Sequence, residues 1–155
     1  PYAEYYLVCA NRETDQTKKR DFLKKAEEIG PKLLEKAESS GYPDAVWYAH
    51  HVMANTLGAS AIMETGIEAK NKLLKKALQI RNEGLKVIEQ MAPSMYWERG
   101  VWQGNIGSVK WQLADLASDS ETKRELLLEG IEHVQESLKL LAKGIISMVR
   151  QIIGG

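Results

Sequence analysis

An all-α protein built from about three copies of a two-helix repeat is the fold class that this sequence predicts. Strand signals are nearly absent, because the chain has little period-two alternation and no Asn-Gly or Asp-Gly hairpin, and it is rich in Ala, Leu, Lys and Glu. Three of its segments also resemble one another at offsets of about 50 residues. We therefore expect antiparallel helix pairs stacked as a short right-handed helical-repeat domain, an α-α superhelix or solenoid.

The repeat is clearest in the second helix of each pair, which we call the B helix. The segments 18–37, 69–88 and 122–141 align without gaps, and their apolar positions coincide. The matching residues are Leu23, Leu74 and Leu127; Ala26, Ala77 and Gly130; Ile29 and Ile80; and Leu34, Leu85 and Leu138. Equivalent apolar positions predict equivalent burial, so Leu74 and Leu127 are both expected in the core.

An A helix precedes each B helix, and the three A helices correspond to residues 2–11, 47–66 and 97–117, of which the first is shorter by about two turns. Asn11, Asn55 and Asn105 stand at matched places in them. The organisation predicted is one domain over residues 1–155. It contains repeats at about 1–41, 43–92 and 94–143, followed by a helical extension at 144–153. The early start of the first helix favours a segment of a larger protein.

Boundary residues support this division. Gly41 and Gly66 stand where helix C-caps are expected, and the string from Ser118 to Glu121 has the spacing of a capping box that would open the third B helix. Gly30-Pro31 lies inside the first B helix, where a kink or break is expected.

Composition narrows the function classes. Lys+Arg and Asp+Glu both number 21, so no net field favours a nucleic acid or a membrane as partner. The single Cys9 excludes an intramolecular disulfide, which is typical of a cytoplasmic protein. His50 and His51 point about 100° apart on a helix and cannot chelate one ion together. No cofactor is expected. No catalytic set is found at a suitable spacing either, so the protein is not expected to be an enzyme.

The third B helix carries a long apolar stripe. Its residues follow one another at spacings of 4 and 3, which places them on one seam of a continuous helix: Leu127, Ile131, Val134, Leu138, Leu141, Ile145, Met148 and Ile152. The seam either packs on its own domain, or its end contacts a following domain or a second copy of the chain. The second possibility predicts a homodimer through Ile145, Met148 and Ile152.

Local residues of the second repeat resemble the tetratricopeptide-type helical repeats. Leu57-Gly58, followed by Leu74 and Ala77, falls at that family's spacing for a leucine-glycine pair in helix A and for two apolar residues in helix B. The period of about 50 residues is longer than the ~34 of that family. The resemblance implies a scaffold or a regulatory segment of a larger protein, in which A-helix side chains face a partner.

Six A-helix residues are therefore the candidates for contact with a partner or ligand: Trp47, Asn55, Trp97, Arg99, Trp102 and Asn105. Two interpretations of the asparagines remain open. Either they bond to backbone of a neighbouring helix, or they line a concave face and hold an extended peptide. The tryptophans likewise either pack between repeats or line an exposed groove.

Small residues are concentrated in the third A helix, notably Gly100, Gly104 and Gly107. Each glycine within a helix costs about 1 kcal/mol relative to Ala, so a compensating reason is required. Either the helices approach closely, or a cavity lies beside Gly100 and Gly104.

Two functions follow from the sequence. The first is a protein-interaction or scaffold module that binds a peptide or partner protein on its A-helix face. The alternative is a small-molecule sensor domain of a signalling or transcription-regulatory protein, in which aromatic rings enclose a ligand.

Overall fold

A computed structural model describes residues 2–153, and these form six α-helices. Their bounds are α1 (Tyr2–Arg12), α2 (Gln16–Ser40), α3 (Pro43–Met63), α4 (Ile67–Met91), α5 (Tyr96–Leu116) and α6 (Ser120–Ile153). The described residues contain no strand, so the all-α prediction is confirmed. The A helices are α1, α3 and α5, and α1 is the short one, with 11 residues against 21 in each of the others.

The chain divides into two compact units, residues 1–84 and 85–155. The division falls within α4 rather than in one of the loops that separate the predicted repeats. Unit 1 contains α1, α2, α3 and most of α4, and unit 2 contains the end of α4 with α5 and α6. The right-handed superhelix stays a prediction.

The core of unit 1 is built from small and branched apolar side chains on facing helices. Leu7 and Ala10 of α1 pack with Leu23 of α2 in one cluster. Ala54, Leu57, Ala77 and Ile80 form a second cluster between α3 and α4. Alanine at such contacts allows two helix backbones to approach closely.

Two helix boundaries of unit 1 test the predicted caps. Gly41 follows α2 with a φ of 69°, a left-handed conformation that favours glycine, so this C-cap prediction is confirmed. The C-cap prediction for Gly66 is wrong. α3 ends at Met63, and the carbonyl oxygen of Gly66 instead accepts the Lys70 amide that opens α4. Gly66 therefore belongs to the start of a helix.

Two further expectations about the B helices need correction. α2 continues from Gln16 through Pro31 to Ser40, so no break occurs at that proline, and the kink that was the other possibility stays a prediction. At the start of α6 the Asp119 carboxylate, rather than Ser118, accepts the Thr122 amide at 2.7 Å. This hydrogen bond holds the pKa of Asp119 below its ordinary value. An aspartate stabilises a helix N-terminus as well as a serine does, so a cap was predicted one residue too early.

Glycines bring α5 and α6 of unit 2 into close antiparallel contact. A Cβ added at Gly100 would lie 2.8 Å from Leu141 Cγ, and one added at Gly104 would lie 3.2 Å from Ser137 Oγ. Further along the pair, a Cβ at Gly107 would lie 2.8 Å from the carbonyl oxygen of Gly130. Side chains of α6 thus fill the space beside Gly100 and Gly104. Close packing is confirmed and the predicted cavity is wrong.

α5 covers only part of the apolar seam of α6: Val134 and Leu141 lie against Gly107 and Gly100. Gly130, Ser137 and Leu140 are buried, whereas Leu127 is 36% exposed and Leu138 is 63% exposed. The aligned residues Ala77 and Gly130 are both buried, as the repeat alignment predicts. The prediction that Leu127 is buried like Leu74 is wrong. The difference arises because Leu74 is enclosed on all sides and Leu127 is not.

Replacing Gly107 with Ala should lower the free energy of unfolding by about 1–3 kcal/mol, because the new methyl group meets a backbone oxygen that cannot rotate away. Gly58 of α3 provides a matched control, since nothing lies within 4 Å of a Cβ at that position. Gly58→Ala should stabilise by about 0.5–1 kcal/mol through its helix propensity. Denaturant unfolding measures both, and equal effects would contradict the close contact.

Replacing Leu74 with Ala should cost about 2–5 kcal/mol in the same measurement, because the side chain is fully buried and its removal leaves a cavity. Leu127→Ala should cost about 1 kcal/mol or less, because a partly exposed leucine loses less burial. A larger loss at Leu127 than at Leu74 would show that the core is misplaced.

Candidate partner-binding face of the A helices

Mostly polar and aromatic side chains line one side of α1 and α3 in unit 1. On α1 they follow the spacing i, i+4, i+7, and on α3 Trp47, His51 and Asn55 follow i, i+4, i+8, so each of these sets shares a helix side, while Tyr48 lies next to Trp47 and towards Glu4. We call these residues the A face: Glu4, Val8 and Asn11 on α1, and Trp47, Tyr48, His51 and Asn55 on α3. Glu4, Val8 and Asn11 are exposed, and the four residues of α3 are half-buried.

A hydrogen-bond relay lies at the base of this face. Arg81 of α4 is only 6% exposed, and its Nη2 donates to Asn55 Oδ1 at 2.7 Å. Asn55 Nδ2 lies 2.8 Å from His51 Nε2, to which the amide donates. The direction of the relay is therefore set by the guanidinium, which has no acceptor atom. It leaves Nε2 of His51 as an acceptor and the imidazole neutral.

The pKa values of the relay residues reflect burial. Desolvation lowers the pKa of Arg81 to about 10, which still leaves the side chain charged at neutral pH. Desolvation, and then the nearby Arg81 charge, lower the pKa of His51, while Glu4 opposes the change. Protonation of His51 would place a second cation beside Arg81 and remove the acceptor that Asn55 uses.

Aromatic side chains connect the relay to the exposed part of the face. The Trp47 ring stacks on His51 with a centroid separation of 5.1 Å and an interplanar angle of 19°. Burial, and then a hydrogen bond to the Glu4 carboxylate, raise the pKa of Tyr48 to about 12. Tyr48 consequently remains a neutral phenol, with Glu4 of α1 close to it. The face presents the exposed Glu4 carboxylate beside the half-buried rings of Tyr48 and Trp47.

Of the six residues predicted for partner contact, the structure brings Trp47 and Asn55 together in this face. The other four lie on α5 in unit 2. Trp102 is fully buried and belongs to the core, and Asn105 is half-buried. Arg99 donates to the Pro93 carbonyl at 2.7 Å and contacts Glu89 at 3.2 Å, so it stabilises the turn before α5.

Trp97 is 56% exposed and lines a different surface, a cleft of about 260 Å³ between the start of α5 and the end of α6. Tyr96, Ile145 and Met148 also line this cleft. The six residues predicted for one contact surface thus lie in two different units, Trp47 and Asn55 in unit 1 and the other four in unit 2. Within unit 1, a cleft of about 300 Å³ near Arg20 and Glu64 is lined mainly by charged side chains.

Sequence reasoning missed Arg81, Glu4 and Tyr48. For Arg81 a signal was available, because the repeat alignment places it opposite Gly30 and Val134. A cation next to the buried Ile80, where other copies have small or apolar residues, indicates a buried polar contact. Glu4 and Tyr48 had no comparable signal, since carboxylates and phenols are common on helix surfaces.

His50 and His133 have roles within their helix pairs. His50 is buried, and its Nδ1 bonds to the Val46 carbonyl oxygen at 3.0 Å, one turn earlier in α3. His133 Nδ1 bonds to Gln103 Oε1 at 2.5 Å, which joins α6 to α5. Across residues 2–153 there is no group of three or more His, Cys, Asp or Glu side chains placed to hold a metal ion.

No helix within residues 2–153 combines the length and the apolar character needed to cross a membrane. The chain matches no protein-family model, and no curated protein and no solved structure matches it significantly. The tetratricopeptide resemblance therefore remains a prediction.

The pKa of His51 should lie below 6.5, and Asn55→Asp should raise it above that of the wild-type residue. The aspartate removes the amide donor and places a negative charge beside the imidazole, which favours its protonated form. Titration of the imidazole proton resonances by NMR measures both values. His133 lies in unit 2 and serves as the control, since its titration should not change.

The same shift fixes the sign of a pH effect on stability. Because the folded pKa of His51 lies below the unfolded value, the unfolded chain binds more protons just below pH 6.5. The stabilisation that the fold gains from a neutral His51 is fully present above the pKa of His51 in the unfolded chain. It is lost as the pH falls towards the lower pKa of His51 in the folded protein. A wild-type His51 that titrates at or above 6.5 would contradict the relay.

Proposed function

We propose that this protein is an interaction module that binds an extended, basic peptide segment of a partner protein on the A face. The observation that supports this most strongly is the relay from Arg81 through Asn55 to His51, which lies directly beneath an accessible stripe of aromatic and carboxylate groups. Burial of a guanidinium costs stability unless it is well compensated. A buried guanidinium can compensate for that cost functionally when it holds the side chains of a binding face in a fixed orientation.

The chemistry of the face favours a basic peptide. The exposed charge contributed by this set of residues is the Glu4 carboxylate, which pairs favourably with Lys or Arg. Trp47 and Tyr48 add aromatic rings, which attract cations through their π faces. Arg81 is too deeply buried to approach a ligand directly, so its charge acts mainly on Asn55 and His51. A carboxylate-rich partner would meet Glu4 with repulsion.

The two stripes are also suited to an extended chain. Glu4 of α1 lies near Tyr48 of α3, and the two helices contact each other, so the A face extends over both. Polar side chains along such a surface can bond to the backbone of an extended peptide, while the aromatic rings contact its side chains. This role agrees with the one that the tetratricopeptide resemblance implies for A-helix residues.

A peptide-display selection against the wild-type protein should enrich sequences that carry Lys or Arg. Glu4→Gln combined with Tyr48→Phe should weaken binding of the selected peptides at least ten-fold, because it removes the charge and the phenol bond of the face. Glu28→Gln, the same carboxylate change on α2, is the matched control and should leave binding unchanged. Fluorescence anisotropy measures the affinities.

Circular dichroism of each variant separates lost binding from lost folding. Equal binding by the double variant and the wild type would place the peptide elsewhere and refute the proposal. Selection of no peptide, together with a rise in melting temperature on adding a small metabolite, would favour the sensor alternative.

A further inference from the structure

A mainly apolar, exposed stripe runs along α6 and shares Ile131, Leu138, Ile145 and Ile152 with the seam predicted from the sequence. Its residues alternate at spacings of 3 and 4 over about 36 Å of helix. We call it the outer stripe: Leu128, Ile131, Gln135, Leu138, Ala142, Ile145, Val149 and Ile152. All eight are exposed, and Leu138 and Ile152 are 63% and 75% exposed. Such spacing is that of a helix that pairs with another helix along its length.

Charge on α6 is segregated along the same helix. Between residues 125 and 136 it carries four glutamates and no Lys or Arg: Glu125, Glu129, Glu132 and Glu136. Between residues 137 and 153 it carries three cations and no Asp or Glu: Lys139, Lys143 and Arg150. Lys123 and Arg124 lie near the start of α6, so residues 120–136 carry five glutamates against these two cations, whereas residues 137–153 carry cations alone. The first half of the helix is therefore net acidic and the second half is basic.

Most of these charges remain accessible to a second molecule. Glu129 pairs with Lys110 of α5, and Lys139 lies 3.5 Å from Glu136 within α6. Glu125, Glu132, Lys143 and Arg150 are exposed, and Glu125 and Glu132 stand directly beside the outer stripe.

We infer that α6 pairs with α6 of a second copy of this chain in antiparallel orientation through the outer stripe. Antiparallel pairing places the acidic half of each helix against the basic half of the other, with Leu138 near the centre. Parallel pairing would place glutamates against glutamates. A two-fold arrangement of this kind uses the same surface on both copies and is closed.

Burial of the stripe supplies the driving force, and the charges select orientation. On each copy, six large apolar side chains would be removed from contact with water. An exposed apolar patch of this kind marks an interaction site. An anionic membrane is disfavoured as the occupant, because the glutamates flank the same stripe and would be repelled. A homodimer was expected from the sequence through Ile145, Met148 and Ile152. Here Ile145 and Ile152 belong to the outer stripe, whereas Met148 lies outside it; Ile145 and Met148 both also line the cleft beside Trp97.

Sedimentation equilibrium tests the association directly. The wild-type chain should be dimeric at tens of micromolar, and Leu138→Asp with Ile145→Asp should make it monomeric with unchanged helix content. Ile62→Asp on α3 is the control, because Ile62 is 72% exposed and lies in the other unit. A wild-type chain that is monomeric at these concentrations overturns the inference. If that monomer also co-sediments with anionic vesicles, the stripe binds a membrane and not a second copy of the chain.

Charge reversal and cross-linking test the orientation. Glu132→Lys with Glu136→Lys should weaken the dimer, and adding Lys139→Glu with Lys143→Glu should restore it with the polarity exchanged. In a Cys9→Ser background, a short bismaleimide should join Ile131→Cys chains to Ile145→Cys chains when the two are mixed, because both positions lie seven residues from Leu138. Cross-linking of each variant only to itself would show a parallel pair and refute the antiparallel arrangement.

Discussion

The close approach of paired helices is the constraint on which the rest of this structure depends. In unit 1, α3 and α4 meet at alanines, Ala54 and Ala77, and both are fully buried. In unit 2, α5 and α6 meet at glycines, with Gly107 against the backbone of Gly130. Small residues at the contact line bring the helix backbones together, so larger side chains must project to either side. The outer stripe of α6 consists of exposed side chains away from this contact line.

The amide of Asn55 has a chemical role that neither a carboxylate nor a methyl group could perform. It accepts from a cation and donates to an imidazole, so it transmits the orientation of Arg81 to His51 without neutralising the charge. An asparagine in or beside a helix most often serves at a cap or a turn. Here the amide joins two helices through side chains, and the half-buried position keeps the imidazole close to the accessible surface.

The sequence predicts the six helices and their order, because the B helices share a repeated apolar periodicity and an A helix with a recurring Asn precedes each of them. It does not predict which helix face is covered, as Leu74 and Leu127 show, since identical residues in aligned positions have different neighbours. The candidate site was predicted in part. Trp47 and Asn55 were found by their residue type and recurrence, while Arg81 and Glu4 join them through contacts that lie 26 residues or more apart in the chain.

One contact in unit 1 differs in kind from those between glycines and backbone. A Cβ at Gly30 of α2 would lie 2.8 Å from Cγ of Met53 on α3, so a flexible thioether covers this glycine. An unbranched side chain can change rotamer, and this contact can therefore be repacked where the one at Gly107 cannot. The same sulfur is open to oxidation, which would convert it into a polar, chiral sulfoxide within the α2/α3 contact. Chemical ageing of the protein would then loosen this helix pair.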